Sequence, residues 1–206
     1  ARMNSSRLPG KVMMELGGET VLSQIIQRCA AIENADVICC AIPEDSDCDQ
    51  VATEAKRFGA VVVRGPEKDV LGRYQQASSL LGCDLILRIT SDCPLIDPQL
   101  CKIVIEMLKS GDCEFATNNF PRSWPHGLDC EAFSSALLLK AAEKATTPYQ
   151  REHVTPWMRS NNPNVRIKNY SSSNPEMSRH RWTLDTPEDL IFFRSLFQLM
   201  PKNLKS

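Results

Sequence analysis

No apolar run in this 206-residue chain approaches the ~20 residues needed to span a bilayer. No secretory leader is visible. The glycine patterns of two common nucleotide sites are missing. There is no Gly-x-Gly-x-x-Gly and no Gly-x-x-x-x-Gly-Lys-Ser/Thr, which disfavours a dinucleotide fingerprint and a P-loop ATPase. No Gly-x-Ser-x-Gly elbow suggests a hydrolase. The net charge is only −1, so nothing global draws the chain to nucleic acid or a membrane surface. Any anion binding has to come from local clustering. Histidine is scarce, and His126, His153 and His180 do not pair with cysteine at zinc-ligand spacing. The nine cysteines are an odd number and include no Cys-x-x-Cys pair. Several lie inside apolar runs, where a reduced thiol packs as a small hydrophobe. We read them as buried thiols of a reducing, cytoplasmic setting, not as a disulfide framework.

The remainder is an ordinary globular composition, 42% hydrophobic and 24% charged. The length suits one large domain with a real core. No internal repeat is present, and apolar runs and helical spacings alternate. Residues 12–16 are a short apolar stretch ending at Gly17-Gly18, which reads as a turn. Helical spacing runs over 20–32, 46–58 and 70–81, and buried-strand runs over 36–42, 60–63 and 84–90. Asp97 and Pro98 open a helix that runs to about Leu108, followed by a short strand over 114–117. Beyond an irregular segment, 128–133 reads as a strand, 134–145 and 149–160 as helices, and 164–170 as a strand. Residues 171–177 are a polar loop and 181–184 a short strand. Thr186 then caps a last helix to Leu199, with Pro187 at its first position and Glu188 and Asp189 in its first turn. This alternation predicts an α/β fold, a mostly parallel twisted sheet with helices on both faces. We expect a single domain over residues 1–206, with 118–180 an inserted lid or dimer arm.

Parallel sheets place ligands at the carboxyl ends of their strands. Ala1 to Lys11 puts Arg2, Arg7 and Lys11 in one loop with Ser5, Ser6 and Gly10. Clustered cations with hydroxyl and backbone donors suit a polyphosphate. A basic surface tail is the plain alternative. Such a loop normally follows a buried strand, and the chain opens on Ala1 without a methionine; an N-terminus trimmed of that strand is the expectation. Asp92 comes just past one strand, in Arg-Ile-Thr-Ser-Asp-Cys-Pro, and Asp185 just past another, in Trp-Thr-Leu-Asp-Thr-Pro-Glu-Asp. Singly, Asp92 reads as well as a turn residue and Asp185 as a helix cap. With the basic loop, the pair points to one magnesium ion that takes its other ligands from water and phosphate.

Taken together, the Ala1–Lys11 loop, Ser-Asp-Cys-Pro-Leu-Ile-Asp and Leu-Asp-Thr-Pro-Glu-Asp-Leu resemble the cytidylyltransferases that make CMP-activated sugar acids, among them the acylneuraminate and 3-deoxy-octulosonate (KDO) enzymes. The branch of SpsF-like spore coat polysaccharide proteins is similar also at residues 65–74, 126–133 and 151–156. The resemblance covers almost the whole chain in motif order. It implies a Rossmann-like fold of the nucleotide-diphospho-sugar transferase type. It also implies Arg2, Arg7 and Lys11 as triphosphate binders, with Ser5 and Ser6 lining the loop. Ala1 is then expected to offer backbone groups to cytosine, with Arg73 near the base and Asp92 and Asp185 as Mg2+ ligands. Where the KDO enzymes read Asn-x-Gln-Gly-Asp, this chain has Arg88-Ile-Thr90-Ser91-Asp92, so the resemblance does not imply the family's base or sugar contacts at Arg88 and Thr90.

The implied chemistry is attack of an acceptor oxygen on the α-phosphorus of CTP with loss of pyrophosphate, by positioning and charge stabilisation. The candidates for the acceptor pocket are His126, Asp129, Glu131, Arg151 and His153. Arg151 suits a carboxylate, phosphate or phosphonate, and His126 or His153 a general base. Each has a structural alternative: Glu131 as a strand residue, Arg151 as a solvated helix start, His153 as a satisfied structural histidine. The expected partners are CTP, a small acidic sugar-like acceptor and a second copy of the chain. Two rivals stay open. One is a glycosyltransferase using a finished nucleotide-sugar, for which the Asp-x-Asp spacing lies in Asp45-Ser-Asp47, continuing into Cys48-Asp49, a run that reads as a helix-capping segment. The other is a catalytically silent nucleotide-binding partner.

Overall fold

Gly17 and Gly18 sit at φ 65° and 97°, a left-handed backbone that lets the chain reverse between β1 (Glu15–Leu16) and β2 (Glu19–Thr20). This hairpin opens the chain after a 3-10 turn at Lys11–Met13. The computed structural model describes residues 1–160 and 164–201. The Thr20 side chain accepts from the Ser23 N–H and starts α1 (Val21–Ala30). Next come β3 (Cys39–Pro43), α2 (Asp49–Arg57), β4 (Val61–Gly65), α3 (Val70–Leu81) and β5 (Leu85–Arg88). They are followed by α4 (Pro98–Lys109), β6 (Phe115–Thr117), β7 (Glu131–Ser134) and α5 (Ser135–Lys144). The chain ends with α6 (Pro148–His153), α7 (Pro156–Arg159), β8 (Ile167–Asn169) and α8 (Pro187–Leu199).

The expected α/β architecture is present. β3 and β4 pair in parallel, and a four-stranded sheet has the order β5-β7-β6-β8. β7 runs antiparallel to both neighbours, and β8 is parallel to β6. Side chains alternate across this sheet. Ala116 and Ala132 face a core built from α1, α4 and α8, with Val104, Ile105, Phe193 and Phe197 at its centre. Phe115 and Phe133 point the other way, their rings stacked 6.0 Å apart, into a core with Leu71, Leu138, Val154 and Met158. Helices therefore cover both faces. A third cluster packs α1 and α2 against β3. Among the described residues, no helix is long and apolar enough to cross a membrane.

Three local differences from the sequence reading have physical causes. The helix expected over 149–160 is broken. Thr155 N–H donates to His153 O at 2.8 Å, closing a tight turn around Val154 at φ 70°, ψ −57°, and Pro156 then starts α7. The strand expected over 181–184 forms only a single bridge, between Arg181 and His126. Its chain runs past two different segments, with Leu184 N–H donating to Asp92 O at 2.8 Å. Residues 118–180 are also not all peripheral. They contribute β7, which lies between β5 and β6, and α5, whose Leu137, Leu138 and Ala141 are buried.

Candidate active site

Gly10, at φ 71°, turns the N-terminal loop into the 3-10 turn. Val12 anchors that turn in the core, 1% exposed. Its neighbour Lys11 reaches toward the loop after β5 and the segment just ahead of α8. Lys11 Nζ donates to Asp185 Oδ1 at 2.9 Å, to Leu184 O at 2.8 Å and to Asp92 Oδ2 at 3.4 Å. Arg7 lies 3.2 Å from the other oxygen of Asp185. Residues separated by more than 80 positions thus share one charged cluster, with Lys11 and Asp185 only 12% and 16% exposed. Burial pushes the Asp92 carboxyl up. The charge of Lys11 and hydrogen bonds from Thr90 and Cys93 outweigh that effect and hold it below the usual carboxylate range.

Arg7 and Lys11 balance Asp92 and Asp185, so an incoming triphosphate would add an anion excess. Among the described residues, no group of three or more His, Cys, Asp or Glu is gathered for a metal. A pair of hard carboxylate oxygens nevertheless fits Mg2+, which keeps waters and takes phosphate oxygens. Cys93 Sγ donates to Asp92 Oδ1 at 3.5 Å, orienting that carboxylate.

Asp189 supports Asp185, a role the sequence reading missed. Asp189 Oδ2 accepts from the N–H groups of Asp185 at 2.8 Å and Thr186 at 2.9 Å, and Arg181 pairs with the same carboxylate. Burial pushes Asp189 up, but the Arg181 hydrogen bond and the two backbone donors hold its carboxyl low. Thr186 and Asp189 form a capping box. The Thr-Pro-Glu-Asp spacing was the available signal, but it reads as a helix start.

The other candidates sort differently. Ala1 N donates to Ala41 O at 2.9 Å, seating the loop against β3. Arg2 lies 3.3 Å from Glu152 of α6, and Ser5 N–H is taken by Met3 O. Ser6 is exposed. Arg73, only 3% exposed, donates to the carbonyls of Pro66 and Glu67, fixing the turn after β4. Arg151 is not open to a ligand. Its guanidinium grips Asp69, the N-cap of α3, through two nitrogens and donates to Ala142 O at 2.7 Å. Glu131 is 2% exposed and enclosed by Arg88, Arg159 and Thr155. Asp129 is held by Arg122 at 2.6 and 3.0 Å, with His126 Nε2 3.5 Å away. His153 is exposed, its ring tilted against Tyr149. Arg7 and Lys11 of the N-terminal loop therefore converge with both aspartates, whereas Arg2 pairs with Glu152 and Arg151 and Glu131 are engaged by the protein itself.

The profile of the cytidylyltransferase family matches residues 1–204. The spore coat polysaccharide biosynthesis protein SpsF of Bacillus subtilis is 28% identical over 208 residues, which covers 96% of this chain and 84% of SpsF. A cytidylyltransferase structure from Leptospira borgpetersenii superposes with a TM-score of 0.93 at 31% identity, covering 98% of this chain and 86% of that one. A CMP-2-keto-3-deoxy-manno-octonic acid synthetase solved with CTP has a TM-score of 0.73 at 16% identity, covering 96% and 95%, a likeness of fold. The family profile spans residues 1–204 and the Leptospira structure covers 98% of the chain at 31% identity: the chain belongs to the cytidylyltransferase family.

Proposed function

We propose that this protein transfers CMP from CTP to a sugar acid or related acidic acceptor, with Mg2+ and release of pyrophosphate, for surface polysaccharide or glycoconjugate synthesis. One observation carries the reading: Lys11 Nζ stands between Asp92, past the end of β5, and Asp185, just ahead of the N-cap of α8, with Arg7 beside it. Relatives that bear on the acceptor include SpsF and 3-deoxy-manno-octulosonate cytidylyltransferases.

Lys11, Arg7 and Arg2 bind the triphosphate, with Ser5 and Ser6 along the loop. Arg73 holds the 66–67 turn beside the nucleotide, and Ala1 presents backbone groups to the base. Asp92 and Asp185 would hold Mg2+, which when bound neutralises phosphate charge. The acceptor oxygen forms a bond to the α-phosphorus while the bond from that phosphorus to the β-phosphate oxygen breaks. Pyrophosphate departs with its charge held by Lys11 and Arg7. A hydroxyl acceptor gives its proton to a base, for which His126 and His153 are the candidates. His126 and Asp129 border the acceptor side. The cysteines, all reduced thiols, support a cytoplasmic setting, and the expectation of a homodimer rests on family resemblance.

The test is pyrophosphate release from each of four nucleoside triphosphates against sugar acids, sugar phosphates and phosphonates. We expect turnover with CTP, an acidic acceptor and Mg2+ together. Asp92→Asn and Asp185→Asn should each abolish it with unchanged circular dichroism. Near-normal rates in either variant would remove the metal assignment, and no pyrophosphate from any combination would sink the reading.

A further inference from the structure

Glu131 opens β7 almost wholly out of solvent, and two guanidinium groups converge on it. Arg88 Nη1 donates to Oε2 at 2.7 Å, and Arg159 Nη1 lies 3.5 Å from Oε1. The Thr155 hydroxyl sits 3.0 and 3.1 Å from the two oxygens. The strained turn at Val154, buried at 0% exposure, precedes Thr155 and delivers it to this carboxylate. The carboxylate is thereby satisfied, but the arginines are not. Among the described residues, Glu131 is the only carboxylate that either guanidinium pairs with, and buried Arg88 Nε has no hydrogen-bond partner. Two cations against one anion leave one uncompensated positive charge in a largely buried place, an arrangement that favours an added anion.

The cluster is reachable. Side-chain exposure is 18% for Arg88 and 25% for Arg159, and Arg159 stands 5.4 Å over the half-exposed ring of Phe120. It also lies on the catalytic side. Arg88 ends β5 just ahead of Asp92, and the Asp92 charge is felt at its guanidinium.

We propose that Arg159 and Arg88, braced by buried Glu131, seat the anionic group of the acceptor, and that this group is a carboxylate. The proposal rests on the reading of the protein as a transferase to an acidic acceptor. One carboxylate closes the charge balance of the cluster. A phosphate or phosphonate, at about −1.5 to −2, overshoots it beside Asp92 and Asp185. The planar fork of arginine also matches a carboxylate.

The test is titration calorimetry with CMP present. The probes are 3-deoxy-manno-octulosonate and N-acetylneuraminate, the methyl ester of each, and methylphosphonate. The wild type should bind at least one acid, with its ester and the phosphonate weaker. Arg159→Gln should weaken acid binding about 10- to 100-fold, the loss of a charge-assisted contact, with CMP affinity unchanged. Arg159→Lys should recover part of it. Arg88→Gln should behave like Arg159→Gln, and a circular dichroism melt shows that each variant is folded. Acid binding by folded Arg159→Gln equal to wild type would overturn the proposal. So would preference for the phosphonate, or no binding of any probe by wild type. A wild type that binds no CTP defeats the transferase reading itself. Retained CTP binding with lost acid selectivity defeats only this assignment.

Discussion

Lys11 is the residue on which the charge balance of the site turns. Its ammonium touches both aspartates and the Leu184 carbonyl. Lys11→Ala leaves two carboxylates facing each other and removes the cation between them, the one proposed to bind the triphosphate. Losing one charge-assisted contact corresponds to about 1.5–3 kcal/mol, so the KM for CTP should rise roughly 10- to 100-fold. An unchanged KM and rate in steady-state assays would show that the loop does not bind the triphosphate. Asp189 acts one step back, through the backbone of Asp185. Its folded pKa, like that of Asp92, lies below the ordinary carboxylate value. A depressed carboxylate pKa adds stability that is fully present above about pH 3.9 and is lost as pH falls through the lower folded value. Asp189→Asn should cost about 1–3 kcal/mol at neutral pH. It should also flatten the loss of stability below about pH 4 in denaturant melts. A variant as acid-sensitive as wild type would show that Asp189 contributes nothing to that slope.

At the scale of elements, Arg151 and Arg159 lie on adjacent short helices but do different work. Arg151 ties α6 to the N-terminus of α3 through Asp69. Burial pushes the Asp69 carboxyl up, yet the hydrogen bond from Arg151 and the Gly72 N–H hold it low. Arg151→Met should therefore lower stability by about 1–3 kcal/mol in urea melts while leaving the KM of an acidic acceptor within about twofold. A large KM rise without loss of stability would return Arg151 to the acceptor pocket. Helix starts were the most legible elements, because their signals are local. Asp97 with Pro98 and Thr186 with Pro187 cap α4 and α8 as their spacing predicts. The break between α6 and α7 was not legible, because a β-branched residue in a left-handed turn has no sequence signature and persists only when tertiary packing imposes it. The antiparallel course of β7 was hidden for a related reason. Alternation shows that Ala132 and Phe133 face opposite sides, but not which strand they join.

Across the whole molecule, the position of each strand-end loop was readable, because an apolar run stops where Asp92 begins its turn and a capped helix starts just past Asp185. Pairings over long separations were not readable. Arg151 with Asp69 and Arg88 with Glu131 join residues 82 and 43 positions apart, and nothing in either neighbourhood marks its partner. The thiols test the packing of the fold from α1 to the start of β7, because they are spread from Cys29 to Cys130. Cys29, Cys40, Cys48, Cys93, Cys101, Cys113 and Cys130 are buried, and only Cys39 and Cys83 are partly exposed. Burial pushes Cys29 up to about 12 and Cys39 up to about 11, and it raises Cys93 and Cys113 as well. Reagents that consume thiols attack the thiolate, so access and ionisation act in the same direction. With Ellman's reagent near pH 8, native protein should show fast reaction at Cys83, slow reaction at Cys39 and silence elsewhere. All nine should react once guanidinium unfolds the chain. Fast reaction at any of the seven buried thiols in native protein would mean that the element carrying it does not pack as described, and mass mapping of the labelled cysteine would identify that element.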